Sequence, residues 1–86
     1  MIVEKLEDKV WMQDNIRIVV RCSSGTKVKD YTHKNAAQAS WSVTKFIDNR
    51  ITPLLNGQEV VVLMGDGEQP HGRTLLSSLR DSYKNR

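Results

Sequence analysis

Basic and aromatic side chains share the first third of this 86-residue chain in a spacing that suits binding to a phosphate backbone. Arg17 and Arg21 sit in an apolar alternation, Lys27 and Lys29 follow in the next segment, and Trp11 and Tyr31 flank them. Alternate residues of an extended segment share a face, so these groups would project to one side of a sheet. Cations that meet phosphates, beside rings that stack on bases, are how many single-strand binders hold RNA or DNA. The same charges also suit the solvated face of an ordinary antiparallel sheet, and Glu7 among the lysines dilutes the patch.

A second group is Trp41 with Lys45 and Asp48. On a helical wheel through residues 35–50, Trp41 falls near Ala37 and Asp48, away from the apolar stripe. A tryptophan left outside a packing stripe marks a contact with another chain, unless a neighbouring segment covers it. A third group is Gly65, Gly67 and Gly72, in Gly65-Asp66-Gly67 and Pro70-His71-Gly72. These follow a strand and precede a helix, where open α/β sheets bind ligands and glycine lets backbone approach an anion. The GxGxxxxG spacing fits neither a dinucleotide fingerprint nor a Walker loop, and a plain glycine turn accounts for it as well.

Catalytic chemistry finds little support. Cys22 falls on the inward face of its alternation, where a small thiol is usually packing. His33 and His71 have no paired carboxylate or cysteine spacing, and Asp66 and Glu68 flank a turn. The expectation is a non-enzyme without metal or cofactor. A single cysteine forms no internal disulfide, which suits a reducing compartment. No apolar run approaches the roughly 20 residues of a membrane span. Met1-Ile2-Val3 is followed at once by Glu4, Lys5, Glu7 and Asp8, unlike a secretory leader. A cytoplasmic protein is expected.

Charge is uneven along the chain. The net value is +3, and residues 16–50 carry seven cations against two carboxylates, while the first fifteen residues are acidic. The basic middle therefore coincides with the segments that would form the sheet.

The elements that must position these groups can be read from period and punctuation. Glu59-Val60-Val61-Val62-Leu63-Met64, between Asn56-Gly57 and Gly65-Asp66-Gly67, is a short β-branched run and reads as a central strand. Residues 2–12 alternate loosely and read as a first strand, with a turn at Gln13-Asp14-Asn15. Residues 16–22 give the clearest alternation, Ile16, Ile18, Val20 and Cys22 against Arg17, Val19 and Arg21. Ser23-Ser24-Gly25 then turns into a third strand over 26–32, with Val28 inward and Lys27, Lys29 and Tyr31 outward.

A helix is expected from Asn35 to about Arg50, with Ala36, Ala39, Val43, Phe46, Ile47 and Ile51 as its stripe and Pro53 as its stop. A second helix should start near 72–74, pack through Leu75, Leu76, Leu79 and Tyr83, and end in the basic Lys84-Asn85-Arg86. The whole reads as one α+β domain over 1–86, a two-layer sandwich of order β-β-β-α-β-α, with a four-stranded sheet and two helices on one face.

Two functional classes follow. The first is a small nucleic-acid-binding or regulatory protein, contacting RNA or DNA through Arg17, Arg21, Lys27 and Lys29 with Tyr31 and Trp11 stacking. The second is a protein-interaction module, accessory or inhibitory, docking through Trp41 or pairing with a second copy of itself. An anion site at Gly65 to Gly72 is a third and weaker reading.

Overall fold

Val3, Leu6, Val10 and Asp14 recur at steps of three and four, and the chain takes that period. Val3–Asp14 is an α-helix (α1) that buries all four. Glu4, Lys5, Glu7 and Lys9 between them are straight-chain helix formers, so the strand expected over 2–12 is corrected to a helix. Asn15 adopts the left-handed conformation, φ 55°, and its N–H donates to the Trp11 carbonyl at 3.0 Å. That closes α1 where the turn was expected. The computed structural model describes residues 1–84, so Asn85 and Arg86 of the basic tail lie outside the described residues.

Arg17–Arg21 (β1) and Glu59–Leu63 (β2) pair antiparallel, with Arg17 opposite Leu63 and Arg21 opposite Glu59. The alternation holds on β1: Ile18 and Val20 are buried, while Arg17, Val19 and Arg21 are exposed. Cys22 lies past the last pair and is exposed, which corrects its inward placement. β2 is a strand as expected, but not a central one, because the sheet has two strands.

The return segment after Gly25 pairs instead with the chain's first residues. Val28 N–H donates to the Met1 carbonyl at 2.8 Å and Val3 N–H to the Thr26 carbonyl at 2.8 Å, around an isolated bridge between Ile2 and Lys27. Val28 points inward as expected, and Lys27 and Lys29 are exposed. Tyr31 is not outward: it is buried, and its hydroxyl donates to the Asp14 carboxylate.

The helix expected over 35–50 shrinks to Val43–Phe46 (α2), continued by a π-helical turn over Ile47–Ile51 and a 3₁₀ turn over Thr52–Leu54 that contains Pro53. Ser42, not Asn35, is the cap, its Oγ accepting from Lys45 N–H at 3.1 Å. Residues 35–41 are kept out of the helix because side chains elsewhere claim their main-chain groups. Asp14 Oδ1 accepts from Ala37 N–H at 2.7 Å, Arg50 Nη1 donates to the Asn35 carbonyl at 2.8 Å, and Arg80 Nη2 donates to the Ala37 carbonyl at 2.9 Å. Hydrogen bonds to charged groups contribute roughly 1.5–3 kcal/mol each, more than a helical turn gains per residue. Ala36 and Ala39 are consequently exposed, and Ala37 is buried in their place.

Leu76–Lys84 (α3) buries Leu76 and Leu79 and leaves Leu75 exposed. It begins later than 72–74, since Leu75 is held in a bridge to Ser42. The molecule is thus a small α+β fold with three α-helices and a two-stranded antiparallel sheet among the described residues, not a four-stranded sheet with two helices. Leu6, Val10, Ile16, Phe46, Ile51, Leu76 and Leu79 form the fully covered centre of its core.

One charged side chain shares that centre. Asp14 is 0% exposed. Beyond Tyr31 and Ala37, its carboxylate meets Arg50 Nη1 at 3.3 Å, and its main-chain carbonyl accepts from Arg80 Nε at 2.8 Å. Removing one partner of a buried ion pair typically costs about 3–5 kcal/mol, because the other charge is stranded. Asp14→Ala is therefore expected to lose about that much stability in a urea titration followed by circular dichroism. A loss below 1 kcal/mol would place the pair in the class of surface bridges.

Candidate functional site

Trp11 stands on the last turn of α1 and Arg17 opens β1, so the tight turn between them brings both side chains to one end of the ladder. The Arg17 guanidinium carbon lies 4.5 Å from the centroid of the Trp11 ring, in cation–π geometry. Tyr83 of α3 meets Trp11 from the side, with ring centroids 5.3 Å apart and planes at 84°. Its hydroxyl donates to the Leu63 carbonyl at 2.5 Å and accepts from Arg17 N–H at 3.0 Å. A phenol thus joins the two strands where their ladder ends. Between these groups and the Gly65-Asp66-Gly67 loop is a cleft of about 330 Å³.

The structure therefore unites Trp11 and Arg17 with Gly65 and Gly67, which sequence spacing had assigned to separate sites. The loop itself is spoken for. Gly65 N–H donates to Ser82 Oγ at 3.0 Å, Gly67 N–H to the Met64 carbonyl at 2.9 Å, and Glu68 N–H to Asp66 Oδ1 at 3.0 Å. A methyl group at Gly65 would overlap the Ser82 carbonyl, and Gly67 has φ 86°. Close packing against α3 and a left-handed turn explain both glycines. Gly72 lies apart from the cleft, packed against Thr44, whose hydroxyl a side chain there would strike.

Arg21 shares the outer face of β1 with Arg17 and stands 3.7 Å from Glu59 across the ladder, an exposed pair. Lys27 and Lys29 are exposed on either side of the buried Val28. Tyr31 is withdrawn from this set by its bond to Asp14. Its pKa is driven well above the ordinary tyrosine value, first by burial and then by donation to that carboxylate. Burial likewise raises Tyr83, opposed by the Arg17 N–H that favours a phenolate.

Trp41 precedes α2 instead of standing exposed upon it. It is half buried, its carbonyl accepts from Leu76 N–H at 2.8 Å, and Lys45 Nζ and the Arg50 guanidinium carbon lie 5.0 and 5.5 Å from its ring. Lys45 is exposed beside it, whereas Asp48, also exposed, lines a cavity next to β2 with Val60 to Val62, so the structure does not unite Asp48 with Trp41. His33 leans on the Tyr31 ring at 5.1 Å, and His71 Nδ1 accepts from Arg73 N–H at 3.1 Å. Among the described residues no three of His, Cys, Asp and Glu converge as metal ligands, and no helix is long and apolar enough to cross a membrane.

Sequence reasoning missed Tyr83 as a cleft residue, taking it as packing alone. It also missed Asp14, Arg50 and Arg80 as a connected set. The signal for Asp14 was its place on the stripe of Val3, Leu6 and Val10, where an acid is out of keeping. No protein-family model matches the sequence, and no curated protein or solved structure matches it either.

The chain has two tyrosines, and the fold raises both. An acid whose folded pKa exceeds its unfolded value of about 10 contributes stability that is complete below that value and is lost as pH rises through the folded one. At pH about 10 each tyrosine should thus be less than half ionised in the folded protein, and stability should fall progressively above it. Half-ionisation of either ring at the ordinary value in the folded protein would contradict the buried hydroxyl geometry.

Proposed function

We propose that this protein is a small non-catalytic binder of single-stranded nucleic acid, anchored at the Trp11–Arg17 pair. The observation that carries the reading is the Arg17 guanidinium stacked on a half-exposed tryptophan at the mouth of a cleft. Cation and π-face offered together meet the two features that every single strand presents, a phosphate and an unstacked base. Tyr83 holds the ring edge-on and ties down the backbone of Arg17, so the pair is pre-positioned. Arg21 on the same strand face and the exposed Lys27 and Lys29 supply further positive charge. Among the described residues Lys27 and Lys29 form no ion pair.

Protein docking through Trp41, Lys45 and Asp48 is the competing reading. Both tryptophans are half buried and faced by cations; the Trp11 pair is favoured because it lines a cleft of about 330 Å³ together with Arg17 and Tyr83.

Fluorescence anisotropy with a labelled single-stranded RNA and a labelled duplex DNA, each at two salt concentrations, tests the proposal. Binding to the single strand should weaken with salt, with a log–log slope of about −0.7 for each phosphate neutralised. Trp11→Leu should weaken it by about 1–3 kcal/mol, the range for one base–aromatic stack. Arg17→Gln should weaken it as well and flatten the salt slope. Absence of binding at low salt, or binding indifferent to both substitutions, would overturn the assignment.

A further inference from the structure

The ladder fixes which backbone groups of β2 face away from β1. Val20 stands opposite Val60, yet Val20 N–H donates to Glu7 Oε2 at 2.9 Å and not across the sheet. Val20/Val60 and Ile18/Val62 are therefore the non-hydrogen-bonded pairs of the antiparallel ladder. The N–H and C=O groups of Val60 and Val62 consequently point away from β1. Among the described residues no other segment bonds to them.

The two edges of this sheet are unlike. On β1, the Glu7 carboxylate of α1 occupies the outward donor at Val20. On β2, Val60-Val61-Val62 carries none of the charge, proline or bulge with which edges are usually blunted. A cavity of about 220 Å³ adjoins that edge, walled by Val43, Thr44, Ile47 and Asp48 on one side and reaching Gln69 and Pro70.

We propose that this edge pairs with the same edge of a second copy of the chain, antiparallel, about a two-fold axis at Val61. The hydrogen bonding is self-complementary in that register. Val60 N–H meets the Val62 carbonyl of the second copy, Val62 N–H meets its Val60 carbonyl, and the axis repeats both. Charge favours the same arrangement: Glu59 falls opposite Leu63 of the second copy, whereas parallel pairing would set the two Glu59 carboxylates side by side. Self-pairing would extend the two-stranded sheet to four strands across the two copies. Because each copy uses the same edge for both sides of the contact, and Glu7 occupies the Val20 donor on the opposite edge, the association closes at two copies and does not run on as a fibre.

Val61 provides the test. It lies opposite Val19 on the outer face of the ladder, so a lysine there reaches solvent without entering the core. On the axis it would face its own copy, about 4.5 Å away between α-carbons, and like charges so placed repel. Light scattering after size exclusion should give twice the mass of one chain for the native protein and one chain for Val61→Lys, with unchanged circular dichroism. Mixing Val61→Lys with Val61→Glu should restore the twofold mass. Native protein that stays at one chain from micromolar to millimolar concentration overturns the proposal, as does a Val61→Lys protein that keeps the doubled mass. Val60→Pro, which deletes an outward donor only, is the second variant and should also halve the mass.

Discussion

A buried carboxylate holds this fold together. Asp14 closes α1, and a negative charge at a helix C-terminus opposes the helix dipole. Its location makes sense only with its partners. The Arg50 guanidinium, 12% exposed along its side chain, brings the compensating charge from the π-helical turn, while Ala37 N–H and the Tyr31 hydroxyl donate from the long irregular segment. The carbonyl of Asp14 is one of the groups a helix end leaves unpaired, and Arg80 of α3 takes it. Four separated stretches of chain thus meet at one residue. Ionic hydrogen bonds have directional demands that apolar contacts lack, so they fix the path of residues 31–41, where no regular element does so.

That arrangement determines the rest of the layout. With Tyr31 turned inward to Asp14, the segment after Lys29 cannot continue beside β1 as a third strand. With Ala37 and Asn35 bonded to Asp14, Arg80 and Arg50, the helix can start only after Ser42. The sheet is left with two strands, and α1 seals one edge by placing Glu7 against Val20. Arg80 also draws α3 toward the end of α1, which sets Tyr83 beside Trp11 and completes the cleft.

Legibility in the sequence divided along the same line. Both strands were readable, because β1 alternates and β2 is a β-branched run between turn signals, and local pattern decides such segments. Pro53 and the 13–15 turn were readable for the same reason, as was α3 from its leucines. The first helix was not: Val3, Leu6 and Val10 are three apolar positions, compatible with weak alternation, and the fourth member of the stripe is an aspartate that hydropathy counts against a core. Residues 35–41 have good helical content in Ala36, Ala37, Gln38 and Ala39, and only partners 15 to 43 positions away override it. The candidate site shared this fate. Arg17 and Trp11 were identifiable by type, but their stacking depended on α1 being a helix, and Tyr31 was lost from the set to Asp14.

The cost of this design is concentrated where the core is most polar. An aspartate, an arginine and a tyrosine share space that three apolar residues would fill without desolvation, and such replacements are often neutral or stabilising when the whole set is exchanged. One buried nitrogen, Arg50 Nε, has no partner among the described residues, so the set is not satisfied at every atom. What the polar cluster supplies is a choice among paths. An apolar cluster would accept the 31–41 segment in several registers, including the third strand and the longer helix that its own residues favour. The carboxylate accepts it in the one that presents Ala37 N–H and the Tyr31 hydroxyl together, and that choice leaves β2 at the edge of a two-stranded sheet and Trp11 half exposed beside the cleft.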